Sequence, residues 1–323
     1  MKRWLALVAT LCFSTIAKAG SVDDVKITIL STMITDYGTS EHATLGEWGF
    51  SALVEVDGRK LLFDTGRTKD VVLKNATALG IDLSQVEDVI LSHFHGDHTG
   101  GLLTLRQNLT ASNPHALSRL HVNKGFFGQR RHKNGTEELN PMIAERSLYE
   151  KTGAKILIHD SASEIFPGVW ISGPVPRVTS EKNWSGDGQL KVKVDNEWVA
   201  DTVPDSLSLF IETDKGTVVI SGCGHAGLIN IASHSETVTK DKKLRAAIGG
   251  FHLLNSDDDQ LRWTAIELKK SGIEHFVGAH CTGIEATHTL REHLGLPRNQ
   301  MLNGSVGTIY SLSDGIEPTW IVR

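Results

Sequence analysis

Short apolar runs separated by Gly, Pro, Asn and Asp recur along the chain, and many alternate with the period of two that a half-buried strand requires. Val25–Leu30 is the first such run. Ser51–Val56 and Lys60–Phe63 follow, joined by Asp57-Gly58, a dipeptide suited to a tight hairpin turn. Further strands are predicted at Val86–Leu91, Arg119–Val122, Lys155–His159 and Val169–Ser172. A second hairpin is predicted over Leu207–Thr213 and Gly216–Ile220, with single strands over Leu244–Ile248 and Ile273–Val277.

Between these runs the period changes to that of a helix. Thr68–Leu79 ends at Gly80, a residue that accepts the left-handed conformation of a helix stop. Gly101–Asn108 reads as helical, and Asp257–Lys270 sets Leu261, Ala265 and Leu268 on one face. Strands interleaved with helices predict an α/β fold. Residues 123–150 and 178–204 are polar and follow neither period, so they are expected to form an irregular rim or flap. No internal repeat or Pro/Ser-rich linker divides the remainder, and residues 20–323 are expected to form one domain.

Residues 1–19 follow another pattern. Lys2 and Arg3 precede the apolar run Trp4–Ile16, and Ala17-Lys18-Ala19 fits a small-residue cleavage site before Gly20. A secretory signal peptide is expected, with a periplasmic or secreted mature protein. The apolar run is too short for a comfortable permanent span, and Leu11 before Cys12 argues against a lipid-modified cysteine. Losing Lys2, Arg3 and Lys18 moves the formal net charge from −5 to −8. That balance disfavours nucleic acid and anionic membranes and leaves a small-molecule substrate as the expected partner. Only Cys223 and Cys281 then remain, both inside histidine-bearing motifs, so a structural disulfide is the weaker reading.

Ser92-His93-Phe94-His95-Gly96-Asp97-His98 follows the apolar run Val89-Ile90-Leu91 and leads into Gly100-Gly101. A strand ending there delivers three imidazoles and a carboxylate into one loop, the donor set that Zn²⁺ and similar metals take. By spacing, His93 and His95 suit one ion, while Asp97 and His98 turn toward a second. Two such ions would clamp a hydroxide and polarise a substrate oxygen, with Asp97 accepting its proton. Asp64 closes the first hairpin after an apolar run; it is read as a buried acceptor that orients a ligand histidine, with a turn cap as the alternative. His225, His252 and His280 each follow a strand within a glycine-rich turn. His252 is left open between metal ligand, acid toward the substrate and orienting residue. Arg177, and Phe127 and Arg130 in the loop Gly125–Arg131, are candidates for gripping an anionic or ring-bearing substrate; a solvated charge run is the alternative for that loop. His42, His115, His121, His132, His159, His234, His275, His288 and His293 lack such contexts and are expected on the surface or on helices.

The His93–His98 cluster resembles the signature of the metallo-β-lactamase superfamily. His95, where the superfamily's oxygen-reducing diiron branch carries Glu, places the resemblance on the hydrolytic side. The resemblance implies a four-layer αββα sandwich with metals at the sheet edge. It also implies that His93, His95 and His225 hold one ion and Asp97, His98 and His280 the other. Cys223 falls where members often carry a metal-bridging Asp; it is read first as a thiol outside the ligand set, then as a soft ligand or a packing residue. Glu47–Ser51, Leu62–Gly66, Gly222–Asn230, Gly249–Leu253 and His280–Gly283 narrow the likeness to the branch named for 7,8-dihydropterin-6-methyl-4-(β-D-ribofuranosyl)aminobenzene-5′-phosphate synthase. Gly96 stands in place of that branch's common Tyr, and Ser206 in place of an acid after Asp205. Pterin assembly belongs in the cytoplasm, whereas an export signal is expected at residues 1–19. The expected function is therefore an exported metal-dependent hydrolase of an ester, lactone, amide or phosphodiester, with zinc first among Zn, Mn and Fe. A synthase-like transferase and a non-catalytic metal- or ligand-binding protein are the alternatives.

Overall fold

The computed structural model describes residues 20–36, 38, 43–181 and 188–323. The expected leader at 1–19, His42 and residues 182–187 of the expected flap lie outside the described residues. Two large sheets stack face to face, and the period-two alternation explains how. Ile27, Ile29, Ala52, Val54, Leu61 and Phe63 turn one face of the first sheet inward, while Leu30, Leu53 and Leu62 on the same strands face outward. The second sheet behaves alike. Leu209, Ile211, Val218, Ile220, Ala246 and Ile248 meet the first sheet, whereas Phe210, Val219 and Ala247 turn away. Each fully buried Val, Leu, Ile or Phe side chain contributes about 1.5–3 kcal/mol, so both faces of each sheet demand cover.

Helices supply that cover. Val71–Ala78, Leu102–Thr110 and Met142–Glu150 lay Val72, Leu105 and Tyr149 on the first sheet. Leu228–Thr239, Asp258–Lys270 and Ile284–Leu294 lay Ile231, Leu268 and Leu290 on the second. The chain is thus the expected αββα sandwich. Asp257 caps the Asp258–Lys270 helix by accepting from the Gln260 N–H, and Asp258 and Asp259 complement its N-terminal dipole. No helix among the described residues is long and apolar enough to cross a membrane.

In the first sheet, Arg59–Phe63, Asp88–Ile90, Arg119–Asn123 and Lys155–His159 run parallel. In the second, Gly216–Ser221, Leu244–Gly249, His275–Gly278 and Met301–Asn303 do the same. Parallel strands release their following loops at one edge, where ligands of α/β proteins gather. Asp64, the Ser92–His98 loop, Cys223, His225, His252 and His280 all follow these strands.

Two expectations need correction. Residues 123–150 are not irregular, since they contain the strand Arg130–His132 and the helix Met142–Glu150. Within 178–204, Leu190–Val194 and Glu197–Ala200 form a hairpin that pairs with Arg130–His132 as a third, small sheet. Its turn residues Asp195 and Asn196 sit at φ 47° and 69°, the left-handed pair that a two-residue hairpin demands. The strands are short and mostly half-exposed, with Val192 their buried residue, which leaves little apolar pattern to read. His121 and His275 are also not surface or helix residues; both are buried in strands.

Candidate metal centre

His93 is fully buried. Its Nδ1 lies 2.9 Å from Ser92 Oγ, and its Nε2 lies 2.9 Å from His95 Nδ1 and 3.2 Å from His225 Nε2. Neutral imidazoles carry one N–H each, so three converging ring nitrogens leave lone pairs aimed at a common point. Burial, reinforced by the neighbouring rings, holds His93 and His225 well below the ordinary histidine range. Burial likewise draws His95 down to about 3 despite Asp97. Neutral rings are what a cation needs from its ligands.

A second group stands beside the first. Asp97 Oδ2 lies 3.3 Å from His280 Nε2 and 3.8 Å from His98 Nε2. His98 is turned into place by Asp64, whose Oδ2 takes the Nδ1 side at 2.7 Å. Asp64 is itself fixed: Oδ1 accepts the Ser92 N–H at 2.7 Å and Oδ2 the Ser92 hydroxyl at 2.8 Å. This is the orienting carboxylate expected from the sequence. Burial works against a charged His98, but Asp64 and Asp97 outweigh it and raise the ring to about 9. Burial similarly opposes ionised Asp97, yet His98 and His280 hold its carboxyl well below the usual range. A bound cation would take over the role of that proton. Asp64, His252 and His280 all adopt positive φ, at 56°, 51° and 47°, a strained conformation for such residues that clusters at functional sites.

Potential ligand atoms of His93, His95 and His225 fall within 4.8 Å of one another, as do those of Asp97, His98 and His280. These are the two triads expected from the resemblance. Cys223 is placed more closely than expected: its Sγ is 3.2 Å from His98 Nε2 and 3.3 Å from Cys281 Sγ. Both cysteines are free. The buried Nδ1 atoms of His225 and His280 have no hydrogen-bond partner among the described residues. Lone pairs from imidazole and carboxylate with a thiol alongside make a donor set that fits a divalent metal of the zinc type.

The triads open into a cavity of about 820 Å³ lined by Trp48, Arg67, Lys69, Phe94, Gly96 and His252 among others. A Cβ at Gly96 would meet nothing within 4 Å, so its missing side chain leaves room there. Trp48 packs edge-on against His280 at 4.8 Å between ring centroids. Glu47 holds the loop below it, accepting the Arg67 and Thr68 N–H groups at 3.1 and 2.7 Å. Arg67 and Lys69 were not singled out from the sequence. Their only signal is position, directly after the Asp64-Thr65-Gly66 turn.

The three substrate-gripping residues expected from the sequence do other work. Arg130 reaches the cavity wall but is buried there, with its Nε on Asp201 at 3.1 Å and its Nη2 on Asp205. Its guanidinium lies over the Phe94 ring, and Asp205 accepts the Phe94 N–H at 2.9 Å, so this group braces the metal loop. Burial lifts the Asp205 carboxyl to about 6 even with Arg130 beside it. Phe127 packs against Phe126 beneath the Arg146 guanidinium, away from the cavity lining. Arg177 donates to the backbone carbonyls of His225 and Thr202 and also lies off the lining.

A profile of the metallo-β-lactamase superfamily matches residues 49–231, more than half of the chain. The chain belongs to that superfamily. Members generally bind divalent metals, in keeping with the two triads. A curated relative from Methanocaldococcus jannaschii, named 7,8-dihydropterin-6-methyl-4-(β-D-ribofuranosyl)-aminobenzene-5′-phosphate synthase, is 30% identical over 84% of this chain and 92% of its own. The crystal structure of Tm1679, titled a metal-dependent hydrolase of the β-lactamase superfamily, aligns with TM-score 0.69 and 29% identity, covering 88% of this chain and 98% of that one. A shorter match, 46% identical over 16% of this chain and 20% of the relative, is to the anti-Pycsar protein Apyc1 of Saccharibacillus brassicae.

Proposed function

We propose that the protein is an exported metal-dependent hydrolase that cleaves a small anionic ester, lactone, amide or phosphodiester. The observation that carries the reading is the convergence of His93, His95 and His225 beside Asp97, His98 and His280 at the floor of an open cavity. The first three would hold one divalent ion and the second three another, zinc first among the ions this donor set accepts. Such ions acidify water and polarise a substrate carbonyl or phosphoryl oxygen. Asp97 orients the attacking water and takes its proton. His252, which lines the cavity, would pass the proton taken up by Asp97 on to the leaving group. Arg67 and Lys69 face the same space, and among the described residues no ion pair within 4.0 Å neutralises either, which favours a substrate carrying negative charge. Trp48 and Phe94 supply apolar wall against a ring or acyl group. Export rests on the pattern of Lys2, Arg3, the apolar run and Ala17-Lys18-Ala19.

The relative's name supports a second reading, a synthase acting on a pterin precursor and a phosphorylated acceptor. Zinc- or manganese-loaded protein assayed on chromogenic phosphodiester, lactone and cephalosporin substrates separates the two. Turnover that disappears on chelation and in His95→Ala supports the hydrolase. Full activity without metal, or activity confined to the pterin pair, overturns it.

A further inference from the structure

We infer that Arg177 and Glu181 are positioning residues for His225, clamping the backbone of its turn so that the ring meets its ion. The inference rests on the metal-binding reading above and adds to it the parts that hold one ligand still. His93 and His98 have their rings fixed from behind, by Ser92 Oγ at 2.9 Å and Asp64 Oδ2 at 2.7 Å on the Nδ1 side. His225 is held differently. Its buried Nδ1 has no hydrogen-bond partner among the described residues, and the rings packed against it, His93, His95 and His252, belong to the same centre. A ring without an acceptor behind it takes its aim from its backbone.

That backbone needs support from outside. Gly224 and Gly227 flank His225 at φ 60° and 99°, and the helix Leu228–Thr239 follows with Gly227 at its N-cap, which offers no side chain to the helix. Residues 177–181 supply what the turn lacks. Arg177 Nη1 donates to the His225 carbonyl at 2.6 Å. Glu181 Oε2 accepts the Ile229 and Asn230 N–H groups, each at 3.0 Å, the donors that an N-cap side chain ordinarily takes. Asn230 closes the clamp: its Oδ1 accepts the Val178 and Thr179 N–H groups at 2.9 Å, and its Nδ2 donates to the Ala226 carbonyl at 2.8 Å. Glu181 also fills the space over Gly227, where a Cβ would come within 2.5 Å of Oε2. Arg177 thus pins His225 itself, and Glu181 pins the helix that its turn leads into.

Cobalt-loaded protein titrated with a chelator of known affinity, and followed by its visible absorption, tests the assignment without reference to turnover. His225→Ala identifies the release step that belongs to its ion. Glu181→Ala and Arg177→Met are each expected to weaken that same step about 10–100-fold and to leave the other step at its wild-type midpoint. Glu181→Gln keeps an acceptor oxygen for the helix N–H groups and should lie nearer wild type. Circular dichroism establishes that each variant is folded; should Glu181→Ala fail to fold, Arg177→Met decides. Unchanged release in the folded variants, or equal weakening of both steps, overturns the assignment and leaves residues 177–181 a structural cap beside an intact metal centre. Protein that takes up no cobalt, or whose cobalt release ignores His225→Ala, sinks the metal-binding reading and the assignment together.

Discussion

Two buried histidine–carboxylate clusters take residues from one stretch of chain, and they differ in a way that separates a metal centre from a structural network. Asp88 opens the strand Asp88–Ile90 and belongs to the first; Ser92 to His98, just beyond its end, belong to the second. In the first, Arg119 grips Asp88 through Nε at 2.7 Å and Nη2 at 2.6 Å and reaches Glu87 at 2.6 Å. His121 completes it, with Nε2 3.0 Å from Asp88 and Nδ1 3.1 Å from the stacked His159. There the buried Asp88 carboxylate already has a cation of the protein's own, Arg119. At the second cluster no arginine or lysine pairs with Asp97 among the described residues, and imidazole nitrogens face one another instead. Histidine content alone therefore does not mark a metal site; a surplus of lone pairs with no arginine or lysine paired among them does.

The largest effect is expected where that surplus is removed. Asp97→Ala should lower bound metal and reduce turnover by about 10²–10⁴-fold or more, since it loses both a ligand and the proton acceptor. His121→Ala, at the balanced cluster, should leave the metal content of purified protein unchanged. Elemental analysis of the two variants side by side decides the matter, and equal metal loss in both would erase the distinction. Next in size is Arg130→Met. It strands Asp201 and Asp205 without their shared cation, and breaking a buried pair in this way costs about 3–5 kcal/mol. Urea unfolding should show the loss. An unchanged midpoint would mean that the two carboxylates do not depend on Arg130.

The sandwich was legible because most strands of its two sheets showed as apolar runs, and the triads because their histidines follow such runs and match the family signature. His225 and His280 stood out as histidines in glycine-rich turns after strands, which meet at one edge, and the resemblance assigned them to the triads. The parts that escaped reading involve partners distant in sequence. Arg130 looked like a substrate clamp because nothing near it in the chain shows that Asp201 and Asp205 will enclose it. Arg67 and Lys69 escaped for the complementary reason: they look like ordinary surface cations until Glu47 and the Asp64 turn bring them to the cavity. His121 was misplaced because its burial depends on Asp88 in the next strand.

A smaller effect separates the two clusters through their carboxylates. Asp64 orients His98 without standing in either triad, and removing such an orienting acceptor typically weakens metal binding about 10–100-fold. Asp64→Asn should therefore compete less well against a chelator of known affinity, while Asp88→Asn should match wild type. Identical competition curves for all three proteins would show that the Asp64 contact has no bearing on the metal.

The smallest effect lies in the pH dependence of the balanced cluster. Burial, followed by the adjacent His121 ring, lowers His159 to about 4 from its ordinary 6.5, with Asp160 acting in the opposite direction. A histidine whose folded-state value is depressed binds fewer protons when folded than when unfolded. Its contribution is present in full above the unfolded value of 6.5 and is lost as pH falls from there toward 4. His159 is half-buried, so solvent screening holds the difference to about 0.5 kcal/mol. His159→Gln removes this proton uptake but leaves the Asp97–His98–His280 group in place, so acid release of metal affects both proteins alike and cancels. Measured by urea unfolding at pH 7 and pH 5, wild type should lose slightly more stability than the variant. Equal losses would mean that His159 titrates normally, and that the Asp88 cluster is open to solvent on the side where its rings stack.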